Sequence, residues 1–399
     1  MQPYEERPSS LFTMPLILFF VVCFLLVGLL NGRKDITVWA MLVLCVVVGA
    51  KVWGRLSLTG VKCRAEVDKK RVFPDETFTL KIAAENAKFL PVWLRLKMAT
   101  HSAVRPTANE RTMTRESGLL WHQRVRFHWD LTAQQRGIHP IGPLRVMVGD
   151  LLGFFPRERI EEALSILVYP RIVPLKPFLL PKRDLFGVPG TKSPVQDPVY
   201  ILGTRDYQHW QPARYIHWKA SARHNRLQEK VFDPSEQTKA LLVIDVEGFS
   251  INGAEDAFEQ AIEIAASMAL ALDRKGYAIG FATNGVLTGG GASILPIARN
   301  PQQLPAVLEA MARMGIEPQR DLNSTLRQEL SLPWGVSCVL FTYEMDDRAF
   351  AADGYFAHRR IPTVFLVNRV PSALGGDGQR FRGRVHRFEE VCLKDEGRK

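Results

Sequence analysis

The chain has 399 residues, enough for two globular domains and additional segments. Lys and Arg number 52 against 41 Asp and Glu, and the net charge of +11 favours contact with anionic lipid, nucleic acid or an acidic protein surface. The five cysteines form no CxxC pair, and two of them lie in apolar runs, so the composition argues against a disulfide framework or a zinc site and favours a reducing compartment.

Two apolar runs follow a short tail, residues 1–10, and together predict a transmembrane helical hairpin over residues 11–53. The first run, residues 11–30, carries no charge and has the length of about 20 residues that a helix needs to cross a bilayer. The second run covers residues 36–50 and is followed by Lys51 and Trp53, which suit the membrane–water interface.

A cleaved signal peptide is the alternative interpretation of the first run. It is disfavoured because Glu5 and Glu6 stand where a basic segment would be expected, no A-x-A cleavage site follows, and the second run comes at once. Cations after the second run outnumber those in the turn between the runs, so the positive-inside rule places both termini in the cytoplasm. We therefore expect a multi-pass protein of the cytoplasmic membrane that contacts lipid through residues 11–53 and holds its soluble domains in the cytoplasm.

Period-two alternation replaces the apolar runs after residue 60. Residues 61–86, 124–131 and 164–170 read as short strands, and no helical stretch interrupts them. This pattern predicts a small antiparallel β-sandwich over residues 60–170, whose simplest role is a spacer between the membrane and the next domain. Residues 171–200 contain six prolines without a sustained period and are interpreted as a linker.

Strands and helices alternate from residue 239 to residue 399. Continuous apolar runs such as residues 239–246 and 337–343 are typical of buried parallel strands, and residues 255–276 have helical spacing that ends at a glycine. The order predicts a doubly wound α/β domain with a mostly parallel sheet, preceded by a separate segment at residues 201–238. Ligands on such sheets bind at the carboxyl ends of the strands, here near Asp245, Thr283 and Thr342.

The segment before that domain contains the run "ARYIHWKASARHNRLQEKVF", residues 213–232, which combines aromatic side chains with cations. If a helix begins at Pro212 and continues, it carries a basic stripe at helical spacing, formed by Lys219, Arg223, Arg226 and Lys230. Two interpretations stay open: a solvated surface, or a docking face for acidic groups. In either case we expect Trp218 and Ile216 to pack inward.

A Ser/His hydrolase is a further interpretation of this run. His217, Ser221 and His224 fall at i, i+4 and i+7 on the same predicted helix. No oxyanion glycine motif or G-x-S-x-G elbow surrounds Ser221, so the sequence argues against it. Nucleic-acid binding is also disfavoured, because the aromatic and basic strand patterns of single-strand binders are missing.

The segment resembles the signature of the domain-of-unknown-function-58 family, R-x-Y followed by G-D and then R-x-I-x-W-K-x-S-A-R. The matching residues are Arg205, Tyr207, Arg214, Ile216, Trp218, Lys219, Ser221, Ala222 and Arg223. Further likeness covers "RGIHPIGPLRVMVGDLLGFF" at 136–155 and "VYPRIV" at 168–173, and the two membrane helices are also usual in the family. One departure is Trp210-Gln211, which stands where the family has Gly-Asp.

The resemblance implies a von Willebrand factor A-like α/β domain, whose usual D-x-S-x-S motif binds Mg²⁺ after the first strand. Here Asp245 is present, Glu247 replaces the first serine, Phe249 replaces the second, and Ser250 comes one place late. Asp and Ser oxygens suit Mg²⁺, whereas a phenylalanine offers no ligand. We therefore expect no metal or other cofactor, although Asp245, Glu247 and Ser250 remain a degenerate candidate set.

The resemblance also implies a function, since the family is associated with MoxR-type AAA+ ATPases and with neighbouring membrane proteins, and has no established activity. We expect a non-enzymatic, membrane-anchored adaptor or scaffold that works with such an ATPase in the assembly or maturation of other proteins. The alternative is a metal-dependent binding protein or an uncharacterised hydrolase that uses the strand ends around Asp245.

Overall fold

The chain is an α/β protein with several separate sheets. The computed structural model describes residues 10–99, 103–107, 113–150, 156–177, 201–208, 212–232, 238–329, 332, 335–369 and 384–393. Contacts divide it into two units, Met1–Tyr169 and Pro170–Lys399. The predicted linker at 171–200 and the departure at Trp210-Gln211 lie largely or wholly outside the described residues.

Two helices begin the first unit, α1 (Ser10–Leu30) and α2 (Lys34–Ser57), and the positive φ of Gly32 allows the tight turn between them. Among the described side chains, one helix, Lys34–Ser57, is long and apolar enough to cross a membrane, and 18–30 forms a shorter apolar helix. Large apolar side chains remain exposed along both helices, including Phe24 at 61% and Trp39 at 68% of their surface. Such surfaces match a hydrocarbon environment better than water.

The described part of this unit also contains eleven strands. They are β1 (Val61–Val67), β2 (Arg71–Val72), β3 (Thr77–Asn86), β4 (Val92–Met98), β5 (Val104–Pro106), β6 (Met113–Leu119), β7 (Arg124–Ala133), β8 (Gly137–Ile141), β9 (Leu144–Gly149), β10 (Arg157–Glu161) and β11 (Leu164–Val168). Two four-stranded sheets have the orders β1-β3-β7-β5 and β10-β9-β4-β6, and β2-β11-β8 forms a third sheet.

The alternation seen in the sequence is the reason for this arrangement. Along β3, Phe78, Leu80, Ile82 and Ala84 are buried while the residues between them are at least partly exposed, because successive side chains of a strand point to opposite faces. Residues from β3 and β7 and from β4 and β9 share one apolar cluster, so the two four-stranded sheets bury a common core.

The second unit begins with a hairpin and continues into the larger sheet. Its strands are β12 (Ile201–Asp206), β13 (Gln228–Phe232), β14 (Lys239–Ile244), β15 (Ala278–Thr283), β16 (Gly285–Leu287), β17 (Ile294–Ala298), β18 (Met314–Pro318), β19 (Val336–Glu344), β20 (Thr363–Arg369) and β21 (Val385–Arg387). Its helices are α3 (Trp218–His224), α4 (Glu247–Ile251), α5 (Glu255–Arg274), α6 (Gln303–Arg313), α7 (Leu322–Glu329), α8 (Asp347–His358) and α9 (Phe388–Val391), with a 3₁₀ turn at Ala213–Tyr215.

The six-stranded sheet has the order β17-β15-β14-β19-β20-β21. Its pairs are parallel except for β15 with β17, the antiparallel edge. The two central strands are buried along nearly their whole length, which explains why their sequences are continuous apolar runs without alternation. The strand order reverses between β14 and β19, so the carboxyl ends of these two strands form the switch point where open sheets of this type bind ligands.

Helix α5 illustrates how sequence signals fix the boundaries in this unit. Glu255 and Asp256 occupy its first turn, where negative charge is favourable, and Gly276 ends it with a φ of 81°. Ala261, Ile262 and Ala265 are fully buried on the side that meets the sheet. The predicted helix at 255–276 is therefore present with nearly the expected limits.

Candidate functional site

The segment that carries the family-like signature folds as a two-stranded hairpin with a short helical insert. β12 pairs antiparallel with β13, with a register that runs from Asp206 opposite Gln228 to Ile201 opposite Phe232. The chain between the two strands contains the 3₁₀ turn and α3. We call residues 201–232 the signature hairpin. A helix that continues from Pro212 through Lys230 was the condition for the basic stripe, and it is not met, because α3 ends at His224 and Lys230 lies on strand β13.

The reason for the early end of α3 is Asn225, which adopts a left-handed conformation with φ 55° and ψ 27°. Asparagine tolerates this conformation better than most residues, and it terminates helices in the same way as glycine. The chain then turns at Arg226 and enters β13. The predicted basic stripe of four cations is consequently divided between a helix, a turn and a strand.

Ser221 joins the insert to the strand. Its hydroxyl donates to the carbonyl of His217 at 3.0 Å and accepts from the backbone N–H of Gln228 at 2.8 Å. His217 caps α3, since its Nδ1 accepts from the N–H of Ala220 at 3.1 Å. Both side chains are therefore occupied in holding the fold, and they do not form the nucleophile and base pair that a Ser/His hydrolase requires.

A buried ion pair connects the two strands of the hairpin. The Glu229 carboxylate, 3% exposed, pairs with the Arg205 guanidinium, which is 36% exposed. Asp206 lies nearer the surface and pairs with Arg226 at 3.2 Å. Two cations, the signature residue Arg205 and Arg226 outside the signature, are thus neutralised within the hairpin.

Ile216 and Trp218 differ in their exposure to solvent, which the sequence did not indicate. Ile216 is 7% exposed and forms a bridge to Glu229, whereas Trp218 is 69% exposed. The expectation that Trp218 packs inward is wrong, because Ile216 is the residue directed at β13 and Trp218 lies on the outward side of α3. A large indole held in water is unusual and marks a contact surface more often than an isolated exposed leucine would.

Four exposed residues of α3 form one continuous surface, which we call the signature face: Trp218, Lys219, Ala222 and Arg223. Trp218 and Ala222 are spaced i, i+4, as are Lys219 and Arg223, so the two rows lie side by side on the helix. Ala220 and Ser221, on the opposite side, are only partly exposed and lie toward β13. No ion pair or hydrogen bond of the Lys219 or Arg223 side chain occurs within the part of the chain that the structure describes.

The remaining signature residues have local roles. The Tyr207 N–H donates to the carbonyl of Leu227 at 2.8 Å, which continues the pairing of the strands. Arg214 is exposed, with its guanidinium 5.1 Å from the ring centroid of Tyr215 and 3.2 Å from that residue's hydroxyl.

The second candidate site lies at the switch point of the six-stranded sheet. Asp245 follows β14 directly and is 1% exposed. Its carboxylate accepts from the Asn284 side-chain amide at 2.8 Å and from the backbone N–H of Glu247 at 3.3 Å. Burial raises the pKa of the Asp245 carboxyl, and these two donors together with the nearby Arg348 charge oppose that rise.

Arg348 supplies the positive charge at this end of the sheet. Its guanidinium lies 2.7 Å from Glu247 and 2.8 Å from Asp346, which also caps α8 by accepting from the Ala349 N–H at 2.9 Å. The arrangement does not suit a divalent cation, because a fixed guanidinium already pairs with Glu247 and amide donors already occupy Oδ1 of Asp245. Within the described residues, no three His, Cys, Asp or Glu side chains are grouped to hold a metal ion.

Phe249 and Ser250 complete the comparison with a D-x-S-x-S motif. Both lie in helix α4, and Phe249 is fully buried, with its ring stacked on Phe388 at 6.4 Å between centroids. A core residue thus occupies the place of the second serine. Neither Asn284 nor Arg348 was among the residues predicted from the sequence. The sequence could have indicated Asn284, because it directly follows the predicted strand at 277–283. No pattern in the sequence indicated Arg348.

Solved structures similar to parts of this chain were found at low overall scores. The PapD-like domain of human CEP192 is 17% identical and covers 28% of this chain and 85% of its own, with a TM-score of 0.21. An alpha-2-macroglobulin fragment from Escherichia coli is 12% identical and covers 30% of this chain and 20% of its own, with a TM-score of 0.23. Scores this low support no inference about fold or function.

The sequence comparisons found one family and a distant relative. The uncharacterized protein YeaD of Bacillus subtilis (strain 168) is 27% identical over 217 residues, which is 53% of this chain and 52% of that protein. The chain therefore spans about half the length of this relative. The expected family resemblance is confirmed over residues 203–332, which match the family described as "Protein of unknown function DUF58" and include the signature hairpin, Asp245 and Asn284.

Proposed function

We propose that this protein is a non-enzymatic, membrane-anchored adaptor whose signature face docks a partner protein. The observation that carries the proposal is the exposed Trp218 beside Lys219 and Arg223, two exposed cations whose side chains have no ion pair or hydrogen bond among the described residues. Tryptophan and arginine dominate the energetics of protein interfaces, and a surface of one indole and two cations fits an apolar pocket rimmed by Asp and Glu. The partner we propose is therefore an acidic protein surface.

The groups that an enzyme would need are engaged elsewhere. Ser221 is hydrogen-bonded on both sides, and Glu247 is paired with Arg348. These contacts favour binding over catalysis. They also disfavour the alternative of a metal-dependent binder or hydrolase at Asp245.

The wider proposal includes the fold family and the partner. The six strands of the larger sheet lie in the order third-second-first-fourth-fifth-sixth along the chain, with an antiparallel edge strand. This order supports a doubly wound, von Willebrand factor A-like domain. We propose a MoxR-type AAA+ ATPase as the partner, because the family resemblance implies one, and assembly or maturation of other proteins as the process.

The anchor we propose is a hairpin of α1 and α2 across the cytoplasmic membrane, with the remaining units in the cytoplasm. Helix α2 has the required length and apolarity, and Lys51 and Arg55 follow its apolar part. A reporter fused after Lys399 should be active if it works only in the cytoplasm and silent if it works only after export. The reverse pattern would place the domains on the other side.

Docking is tested by capture of the ATPase from native membranes with the full chain. Trp218→Ala and the double change Lys219→Glu with Arg223→Glu should each reduce capture, and the charge reversal should also make the remaining capture less sensitive to salt. Matched controls lie away from the hairpin: Ile251→Ala for an exposed apolar residue, and Arg274→Glu with Lys275→Glu for two exposed cations.

Capture that falls equally in the controls would indicate a general effect of surface charge or apolarity. Unchanged capture in both signature-face variants would exclude this face as the docking site. Melting temperatures measured in parallel separate either result from unfolding.

A further inference from the structure

The first unit carries an exposed apolar patch that the proposed docking function does not use. Two turns lie side by side at one end of its sheets, residues 87–91 between β3 and β4 and residues 120–123 between β6 and β7. They present Phe89 at 80%, Leu120 at 51% and Trp121 at 60% exposure. We call these three residues the turn patch.

The two turns are held together by a buried asparagine. Asn86 is fully buried and its side-chain amide donates to the carbonyls of Leu90 at 2.8 Å and Leu120 at 3.0 Å. The rings of Phe89 and His122 meet edge to face with 5.0 Å between centroids. The turn patch is therefore a fixed feature of the fold, and its apolar side chains are held outward by contacts beneath them.

The same turns are attached to the last part of α2. Lys88 donates through its ammonium to the carbonyl of Ser57 at 2.6 Å and also contacts the carbonyl of Leu56. The Trp53 indole N–H donates to the carbonyl of Pro91 at 2.9 Å. The turn from Lys88 to Pro91 thus runs alongside the final turns of the helix.

The point at which the turns contact α2 sets the distance of the turn patch from the apolar part of the helix. The apolar part of the helix ends at Ala50, and each residue advances about 1.5 Å along the axis, so Trp53 lies roughly 5 Å beyond that end. Helical side chains lean toward the N-terminus, which for α2 is the direction of its apolar part. The Pro91 carbonyl bound to the indole therefore lies close to the boundary between apolar helix and polar surroundings.

We propose that the turn patch inserts into the interfacial region of the bilayer, so that Phe89, Leu120 and Trp121 form a membrane contact in addition to the helices. Aromatic side chains such as that of Trp121 favour this region because an indole joins an apolar ring system to a polar N–H, and the region itself is apolar on one side and polar on the other. Lys51 and Arg55 lie at the same level of α2 and suit anionic headgroups. The inference rests on the membrane anchoring proposed above and is independent of the signature face.

The contact fixes the tilt of the β unit. Hydrogen bonds of Trp53 and Lys88 already tie the β strands to the end of α2. A second contact at the turns resists tilting of the helices and both four-stranded sheets together relative to the membrane surface. The lipid is recognised by its general interfacial chemistry, an apolar layer below an anionic one.

The test uses the full chain, with its native cysteines replaced, reconstituted into vesicles of phosphatidylcholine and phosphatidylglycerol. Single cysteines carry an environment-sensitive fluorophore at three positions: Phe89→Cys in the patch, Val46→Cys in α2 and Phe73→Cys as the matched aromatic control. Phe73 is 39% exposed and lies beyond the opposite end of the ten-residue strand β3, roughly 30 Å from the patch. Trp121→Cys provides a second probe of the patch.

Quenching is compared between lipids that carry a nitroxide near the glycerol backbone and iodide in the water. We expect labels at positions 89 and 121 to be quenched by the lipid nitroxide severalfold more strongly than the label at 73, with the reverse order for iodide. If position 46 is quenched by lipid but 89 and 121 behave like 73, the patch does not contact the membrane and only the anchor stands.

Two other outcomes also overturn the inference. A label at 46 that lipid does not quench removes the anchor and the patch contact together. Labels at 89 and 121 that are protected from both quenchers, in vesicles that contain no other protein, would assign the patch to contact with a second copy of the chain.

Discussion

The signature hairpin and the end of strand β14 are both rich in charged residues, and they use them in opposite ways. At the strand end, Arg348 joins Glu247 and Asp346, and the Asp245 carboxylate is enclosed by amide donors. In the hairpin, the inner charges Arg205 and Glu229 are paired, but Lys219 and Arg223 extend outward beside an exposed indole.

The difference shows that charge density alone does not locate a functional surface. Charges that neutralise each other within a fold are part of its stability, whereas charges left without partners remain available to another molecule. In this protein the charges at the strand end are engaged by their own neighbours. The exposed cations lie on a seven-residue helix that the sequence indicated only as part of a longer one.

Among the polar contacts, the largest expected effect on stability concerns the inner charges of the hairpin. Arg205→Met leaves the buried Glu229 carboxylate without its guanidinium and should lower the free energy of unfolding by about 3 kcal/mol, the lower end for a broken buried pair because Arg205 is partly exposed. Thermal melting of the full chain measures it. Arg226→Gln, which breaks the exposed pair with Asp206, should cost no more than about 1 kcal/mol. Equal effects of the two changes would contradict the distinction between inner and outer charges.

Ser221 offers a test of the junction between α3 and β13. Ser221→Ala leaves the Gln228 N–H without its side-chain acceptor and should cost about 1–3 kcal/mol. Ser221→Thr retains a hydroxyl and should recover much of the loss, which denaturant unfolding of both variants can measure. A Ser221→Ala protein as stable as the unchanged chain would mean that the hydroxyl does not hold the insert.

Asp245 provides a pH-dependent test of the closed strand end. Burial raises the pKa of this carboxyl above its ordinary value, so the unfolded chain releases the proton at a lower pH than the folded chain does. The contribution of the Asp245 carboxyl to the free energy of unfolding is complete below its ordinary pKa of about 3.9. It is lost as the pH rises from there to the raised pKa of the folded chain.

Asp245→Asn should remove this loss, so that the variant gains stability relative to the unchanged chain as the pH increases through that window. Melting temperatures recorded over a pH series give the comparison, with the exposed Asp347→Asn as the control. Parallel pH profiles for the Asp245→Asn protein and the unchanged chain would show that the carboxyl is solvated.

The smallest expected effect on folding concerns Trp218. Because its side chain lies mostly in water, Trp218→Ala should change the free energy of unfolding by no more than about 0.5 kcal/mol. Ile216→Ala, two residues away and buried, should cost about 2–5 kcal/mol. A marked fall in the melting temperature of the Trp218→Ala protein would mean that the indole is packed in solution and would weaken the signature face as a docking surface.

Sequence reasoning succeeded where one physical signal dominated. Alternation along β3, the apolar run of β14 and the capped helix α5 each depend on burial of a local pattern, and each is present. It failed in the signature hairpin, where Asn225 ends α3 by its left-handed backbone conformation although the helical spacing of apolar and basic residues continues past it.

The candidate sites were predictable only in part for a related reason. The position of Asp245 at a strand end follows from the order of elements, but its surroundings depend on Arg348, which is distant in sequence and on a different helix. The direction in which Trp218 points likewise depends on how a short helix sits on β13, a tertiary property that helical periodicity does not determine.

The contact between Lys88 and the end of α2 has a consequence for the order of events during synthesis. The carbonyl of Ser57 receives its donor from a residue 31 positions later in the chain. At a synthesis rate of about 5–20 residues per second, this interval corresponds to roughly 2–6 s. During that time the end of the helix has left the ribosome while Lys88 has not yet emerged. The junction between α2 and the β strands is therefore completed late, once the turn after β3 has emerged, and until then the last carbonyls of α2 depend on water.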